Sequence, residues 1–562
     1  PNPDHCRGFE NLDREISLRI SNREVRGKIP DAVRGTFLRI GPGRTQLGGR
    51  TFGHWFDGDG MVHALTFGEE GAYYRNRFVR TPKYRAETAA GRIKKRSFGH
   101  NAPGGILANI GRPLGEASFA GGLKPFEPFS AHGHHHPDTG RYYNHGVSLG
   151  RRGPQVNLYQ ISPQGRMERR GRFPLPRLTF LHGSAMSKRH WLFLEQPVAM
   201  TGMTKMMLGL RTIDQCMTHN PAWGMRAHVI DLDTLERTHT FELDPFVIFH
   251  FGNAREIGDQ LIVDLVRFPD FAINQALRDF THHYQSDAGE PGQLRLNLRT
   301  GKHTYLPLPH QAGCEFPTFD NRYQGEPSRV LFNTAIADQG GFFNAVQRLD
   351  TESGHTALHR MGPGRFVSEA VFVPEGGKEG DGYLCAAVYD ANMHRSEIVL
   401  LDARSGNLEE VAAVPCRTIF HTVFIAGGSS QVNIRPRIVR NLGLFPGNAQ
   451  TITATLFGLI QGMVNALENR FQGIPRLQRR QARAHRDVDR FAFRHRHRRL
   501  RQTTAQAVTH HTAAAGIRVR EHHDELLPAE PPAQIHLAGD ATQQFGEAAQ
   551  YMIPGPVAPG VI

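Results

Sequence analysis

The sequence predicts an all-β chain folded as a propeller and followed by an appended C-terminal region. Three observations predict it. From about Gly35 to Ile425, short β-branched or aromatic runs alternate with turns of Gly, Pro, Asp or Asn. A weak repeat of strand, polar turn and strand recurs in VIDLDTLERTHTFEL, LRLNLRTGKHTYLPL, AVQRLDTESGHTALHRM and IVLLDARSGNLEEVAAV. After about Gly427 this texture stops. Recurrent hairpins at short spacing suit a sandwich, a barrel or a propeller. The large number of strands favours the propeller, in which radial repetition protects strand edges.

Taken in order, the strands read GTFLRI, MVHALTF, AYYRNRFVR, QVNLYQI, HWLFLE, AHVIDLD, RVLFNTAI, AVFVP and IVLLDA. Between AHVIDLD and RVLFNTAI lies FVIFHFGNAREIGDQLIVDLVRF at 246–268, two strands around the polar turn AREIGD. Its first strand is almost continuously apolar, which predicts burial on both faces, with His250 inside it. A lone buried histidine is most often a hydrogen-bonded core residue. Metal ligation is the alternative, and companions are needed to favour it.

The composition narrows the classes. Glycine (60) and proline (35) suit many turns in this chain of 562 residues. Cys6, Cys216, Cys314, Cys385 and Cys416 show no C-x-x-C spacing, and their odd number argues against a disulfide framework, so a reducing, cytoplasmic setting is expected. No apolar run of about 18 residues predicts a membrane-spanning helix, and no signal-peptide pattern follows Pro1. The formal charge of +14 is local: twelve arginines against Asp487 and Asp489 between Arg470 and Arg501 give +10, leaving about +4 for the rest. No nucleic-acid partner is expected, since these arginines lack a recognisable reader module.

The domain division is 1–426 for the β unit and 427–562 for the appended region, which is basic and expected to be partly helical or disordered. There, Ile452, Leu456, Leu459, Ile460, Met463 and Leu467 fall on one helical face, ahead of RHRHRRLR and a proline-rich end. That helix packs on the β unit or lies on an anionic membrane surface; the pattern allows both.

Four histidines share an apolar or aromatic setting: His132 in PFSAHGHHHPDTGR, His182 in LTFLHGSAM, His250, and His421 in CRTIFHTVF. Such distant positions fit ligands delivered by different blades to a common axis. His134, His135 and His136 are expected in an exposed turn.

These segments resemble the carotenoid cleavage oxygenase family. GTFLRIGPGR with FGHWFDGDGMVHAL resembles its N-terminal motif, and YRNRFVRTPKY its next strand. FSAHGHHHPDTGR, LTFLHGSAMSKRHWLFLE, FHFGNAREIGDQLIVD and IFHTVF resemble its four histidine-bearing segments in order; EFP at 315–317 and SEAVFVPE at 368–375 resemble segments carrying glutamates. The resemblance covers about residues 20–425. It implies a seven-bladed β-propeller with a helical and loop cap on one face, and Fe(II) held by His132, His182, His250 and His421. It also implies that Glu315 and Glu369 orient ligand imidazoles, those of His250 and His421. A carboxylate that accepts the second ring N–H fixes the tautomer and raises ligand basicity. The implied reaction is cleavage of a conjugated double bond in a carotenoid or apocarotenoid by O2 to two carbonyl products. No protein acid or base is required.

Besides the appended region, since the family's chain usually ends soon after its fourth histidine, the sequence departs from the family in two places. The segment Asn101–Gly121 is short where the family carries a third orienting glutamate; Glu116 is the one carboxylate within it. Without that glutamate His182 loses support. The N-terminal motif reads RIGPGR, where an asparagine more often stands on each side of Gly-Pro. An apolar substrate also needs a tunnel. VAMTGMTKMMLGL at 198–210 is expected to be helical, with Met203, Met206, Met207 and Leu208 at a membrane-resting mouth or in ordinary core packing. Two other readings stay open: a stilbene-like phenylpropanoid as substrate, and an inactive propeller serving as a lipid- or partner-binding scaffold.

Overall fold

Alternating apolar and polar residues joined by tight turns make consecutive strands pair as hairpins, and every strand pair among the described residues is antiparallel. The structure, a computed structural model, describes residues 4–105, 109, 128–278, 280, 288–338, 342–404, 406–416 and 418–419. Among them are six sheets of four or five strands.

The first sheet orders Ser17–Ser21, Gly71–Phe78, Asp59–Gly68 and Gly35–Arg44. The second runs His134–His135, Tyr142–Gly150, Gly153–Ile161 and Met167–Pro174, and the third Ala185–Met186, His190–Glu195, Met225–Asp231 and Arg237–Leu243. The fourth comprises Val247–Ile257, Gln260–Phe268, Glu290–Asn297 and His303–Pro307. The fifth holds Gly313–Thr318, Val330–Ile336, Ala345–Asp350 and Thr356–Arg360. The sixth adds the early strand Arg26–Gly27 to Arg365–Pro374, Gly382–Asp390, Arg395–Asp402 and Glu410–Pro415. That pairing, Arg26 with Ala413 and Gly27 with Ala412, ties the start of the chain to its last sheet. Radial repetition of this kind leaves only short, protected strand edges.

The core lies between the sheets. Phe37, Leu65 and Tyr74 of the first sheet pack with Val371, Tyr383 and Leu400 of the sixth, and Leu192 and Val229 of the third with Leu261 and Val263 of the fourth. The longest α-helix among the described residues is Pro82–Ala90, started by the Thr81 side chain and proline and stopped by Gly91 at φ 61°.

Topology positions the site. In the third to fifth sheets, the start of the first strand and the loop between the second and third strands lie at the same end. The connections made there are 201–224 in the third sheet, 269–289 in the fourth, described at 269–278, 280 and 288–289, and 337–344 in the fifth, described at 337–338 and 342–344. They supply the loop cap. Phe271 from the fourth sheet's loop stacks on Phe249 and meets Phe180, and Phe343 from the fifth meets Phe316.

The all-β propeller is the fold that the strand pattern predicts. Blade by blade, a blade-length interval, 79–133, separates the first and second sheets, and its described residues hold no strand. His421, Glu116 and the boundary at 426/427 lie outside the described residues, as does all of 427–562. No described helix is long and apolar enough to cross a membrane.

Candidate metal centre

The first strands of successive sheets pack side by side: Ala185–Met186 against Val247–Ile257, that strand against Gly313–Thr318, and the latter against Arg365–Pro374. His132 precedes the second sheet's first strand by two residues, and His182 precedes the third sheet's by three. His250 is within the fourth sheet's. Chain positions far apart thereby meet. Ligand nitrogens of His132, His182 and His250 lie within 4.8 Å of one another. His132 Nε2 and His182 Nε2 are 2.9 Å apart. The three ring centroids are 4.6, 4.9 and 5.0 Å apart.

Glycines allow this approach. A side chain at Gly133 would stand 2.1 Å from the Tyr142 hydroxyl, and one at Gly183 would stand 2.7 Å from the Phe249 carbonyl. Each follows a histidine of the cluster, so backbone contact with the neighbouring element brings that histidine inward.

Strand irregularities aim the remaining groups. Register slips at Ile248/Phe251, at Glu315/Thr318 and at Val367/Ala370 flank or include His250, Glu315 and Glu369. A bulge leaves a residue out of the ladder and turns its side chain. Phe316 takes φ 54°, a strained conformation for a non-glycine residue. Its N–H donates to the Glu315 carboxylate. His250 Nδ1 lies 2.8 Å from Glu315 Oε2. A carboxylate accepts, so Nδ1 carries a hydrogen, and in the neutral ring Nε2 keeps its lone pair. His250 Nε2 is buried and has no hydrogen-bond partner among the described residues. An orphaned acceptor aimed at two other imidazoles is what a cation fits.

The electrostatics agree. Burial and the neighbouring imidazoles hold His132 and His182 well below the usual histidine range, so both are neutral donors. Burial opposes charge on His250 too, but the Glu315 carboxylate outweighs it and raises that pKa. Glu369 is different. Burial pushes its carboxyl up to about 7 against the pull of Arg39 and His250, and its Oε2 has no hydrogen-bond partner among the described residues. Arg39, 3% exposed, lies opposite and is pushed down to about 10 by burial.

Of the expected residues, the fold brings together His132, His182, His250 and Glu315, with Glu369 coupled to them electrostatically. One expectation needs correction. His134 and His135 form a half-buried strand, because they pair with Tyr143 and Tyr142 rather than lying in an open turn, and His136 beside them is buried. Of the two readings of the methionine segment, Met206, 1% exposed, follows ordinary core packing; the exposed apolar residues there are Leu208 and Leu210. Sequence reasoning missed Arg39, Ser130 and Ser184, although both serines are two residues from a histidine of the cluster.

The profile of the family described as RPE65, retinal pigment epithelial membrane protein, matches residues 9–111 and 112–424. The chain belongs to this family, that of the carotenoid cleavage oxygenases. Within the family it is similar to apocarotenoid-15,15'-oxygenase of Synechocystis, at 28% identity over 73% of this chain and 93% of that protein. It is also similar to carotenoid 9,10(9',10')-cleavage dioxygenase 1 of Pisum sativum, at 26% identity over 72% of this chain and 87% of that one. A solved variant of Synechocystis apocarotenoid oxygenase superposes with a TM-score of 0.67 at 26% identity, covering 74% of this chain and 96% of that one. A cobalt-substituted form of that oxygenase gives 0.66. The family's propeller is therefore this chain's fold.

Proposed function

We propose that this carotenoid cleavage oxygenase uses Fe(II) and O2 to split a conjugated double bond of a carotenoid or apocarotenoid into two carbonyl products. The observation that carries the reading is the convergence of three imidazoles, one backed by a buried carboxylate, in a fold shared with enzymes named for this cleavage. His132, His182 and His250 would hold the metal, with His421 as the fourth ligand. A solved relative that takes cobalt in substitution supports a divalent ion of this kind.

Bound Fe(II) would supply redox chemistry and open positions for O2. The protein's residues do the rest. Glu315 keeps the hydrogen on His250 Nδ1 and so leaves Nε2 as the donor. Phe180, Phe249, Phe271, Phe316 and Phe343 wall the site with rings that exclude water and suit a polyene. No side chain needs to move a proton.

Leu208 and Leu210, 38% and 54% exposed beside Lys205 and Arg211, suit a mouth resting on a membrane. Replacing both with serine should lower association with anionic liposomes, measured by co-sedimentation; undiminished association overturns that part.

The deciding experiment is anaerobic reconstitution with Fe(II), then incubation with an apocarotenal and O2. One iron per chain and two carbonyl fragments by mass spectrometry are expected. Protein that takes up no iron would instead be a binding scaffold.

A further inference from the structure

We infer that Ser130 and Ser184 are positioning residues that lock the His132 and His182 segments into one unit, supporting His182 through its backbone where Glu315 supports His250 through its ring. This inference rests on the proposed metal site. Its starting point is an asymmetry: His250 has a carboxylate partner, whereas among the described residues none reaches His182.

The two serines are arranged reciprocally. Ser130 stands two residues before His132 and reaches across to His182. The His132 N–H donates to Ser130 Oγ at 3.0 Å, and Ser130 Oγ donates to the His182 carbonyl at 3.2 Å. Ser184 stands two residues after His182 and reaches back to His134, two residues after His132. Ser184 Oγ lies 3.0 Å from His134 Nε2 and accepts from Trp191 Nε1 at 2.9 Å. An indole nitrogen can only donate, so Ser184 Oγ accepts from Trp191, and its remaining hydrogen and second lone pair both stay available to His134 Nε2, whose tautomer sets the direction of that bond.

Each hydroxyl is itself held in place. Ser130 N–H donates to Asn144 Oδ1 at 2.8 Å, and Asn144 Nδ2 donates back to the Ser130 carbonyl at 3.0 Å. Ser130, Asn144 and Trp191 are fully buried and Ser184 is 3% exposed, so water cannot substitute for a lost bond. The two segments share two cross-links and move together. The clamp acts on the backbones that carry the imidazoles, which sets where both Nε2 atoms point.

The test uses the full-length protein and Co(II) as a spectroscopic probe, titrated anaerobically. Ser130→Ala and Ser184→Ala should each weaken Co(II) binding about ten-fold, within the range for lost support of metal ligands. Each should also shift the visible absorption bands of the Co(II) form, while the metal-free protein still melts cooperatively. Unchanged affinity and spectrum in both variants overturn the inference. If Ser130→Ala does not fold, Ser184→Ala decides alone, because its hydroxyl belongs to the other segment. Parent protein that binds no Co(II) would instead overturn the metal site itself, a distinct result.

Discussion

His250 and Glu315 are 65 positions apart, and their 2.8 Å contact helps explain why a histidine stands within the apolar run FVIFHF. The pair makes a direct prediction. Glu315→Gln keeps the shape but loses the charge, so Fe(II) affinity should fall 10- to 100-fold, measured by anaerobic titration. His250→Ala should abolish binding. Equal affinity in Glu315→Gln would show that the carboxylate is not supporting a ligand. The histidines themselves were legible in the sequence, since each lies in a motif and three meet in space. Their serine support was not. Hydroxyls that bond across 50 positions leave no local pattern, and Ser130 reads in sequence as any small residue before a turn. His134 was misplaced for a similar reason: a polar run before Asp-Thr-Gly looks exposed until its pairing with Tyr143 is known.

At the scale of an element, the strand Val247–Ile257 shows what periodicity can and cannot supply. Its position and turn follow from the alternation in FVIFHF and QLIVDLVRF, but two register slips place His250 where a regular pleat would not. Bulges depend on packing, which no single-strand pattern records. The methionine segment shows the same limit. Instead of one helix over 198–210, it forms the strand Val198–Met200 and the short helix Met203–Met207. Gly202 and Gly209, at φ 66° and 70°, bound that helix.

The far end of the strand Val247–Ile257 is stapled by Glu256, which accepts from Ser187 Oγ and Arg189 Nε and lies 2.8 Å from His190 Nδ1. Burial raises the Glu256 carboxyl, but these partners outweigh it and bring it down from 4.5 to about 2. A depressed carboxyl stabilises the folded state above its unfolded value and loses that contribution as pH falls toward the folded one. Metal-free Glu256→Gln should therefore be on the order of 2–3 kcal/mol less stable at pH 7. The difference from the parent should shrink between about pH 4.5 and 2, by urea denaturation. A pH-independent difference would assign the loss to packing.

For the whole molecule, the strand-rich composition and repeated hairpins made the propeller legible, while the number of blades was less so. Seven comes from the family resemblance; the described residues hold six sheets, and those described within the blade-length interval 79–133 hold no strand. The closure was also illegible, because a two-residue strand carries no periodicity. Yet Arg26–Gly27 is what joins the beginning of the chain to Glu410–Pro415. The joint depends on one glycine. Gly27 takes φ 77°, and a Cβ there would stand 2.1 Å from the Val411 carbonyl oxygen. Gly27→Ala adds backbone strain and a backbone clash at the only rung pair that closes the sixth sheet among the described residues. The expected cost is about 2 kcal/mol or more. Chemical denaturation should read it as a lower midpoint. Because the closing strand is the outermost of its sheet, Fe(II) affinity of the folded variant should stay at the parent's value. A variant as stable as the parent would mean that the ring holds by packing between the first and sixth sheets alone. One that lost iron while staying folded would mean that closure sets the geometry at the axis.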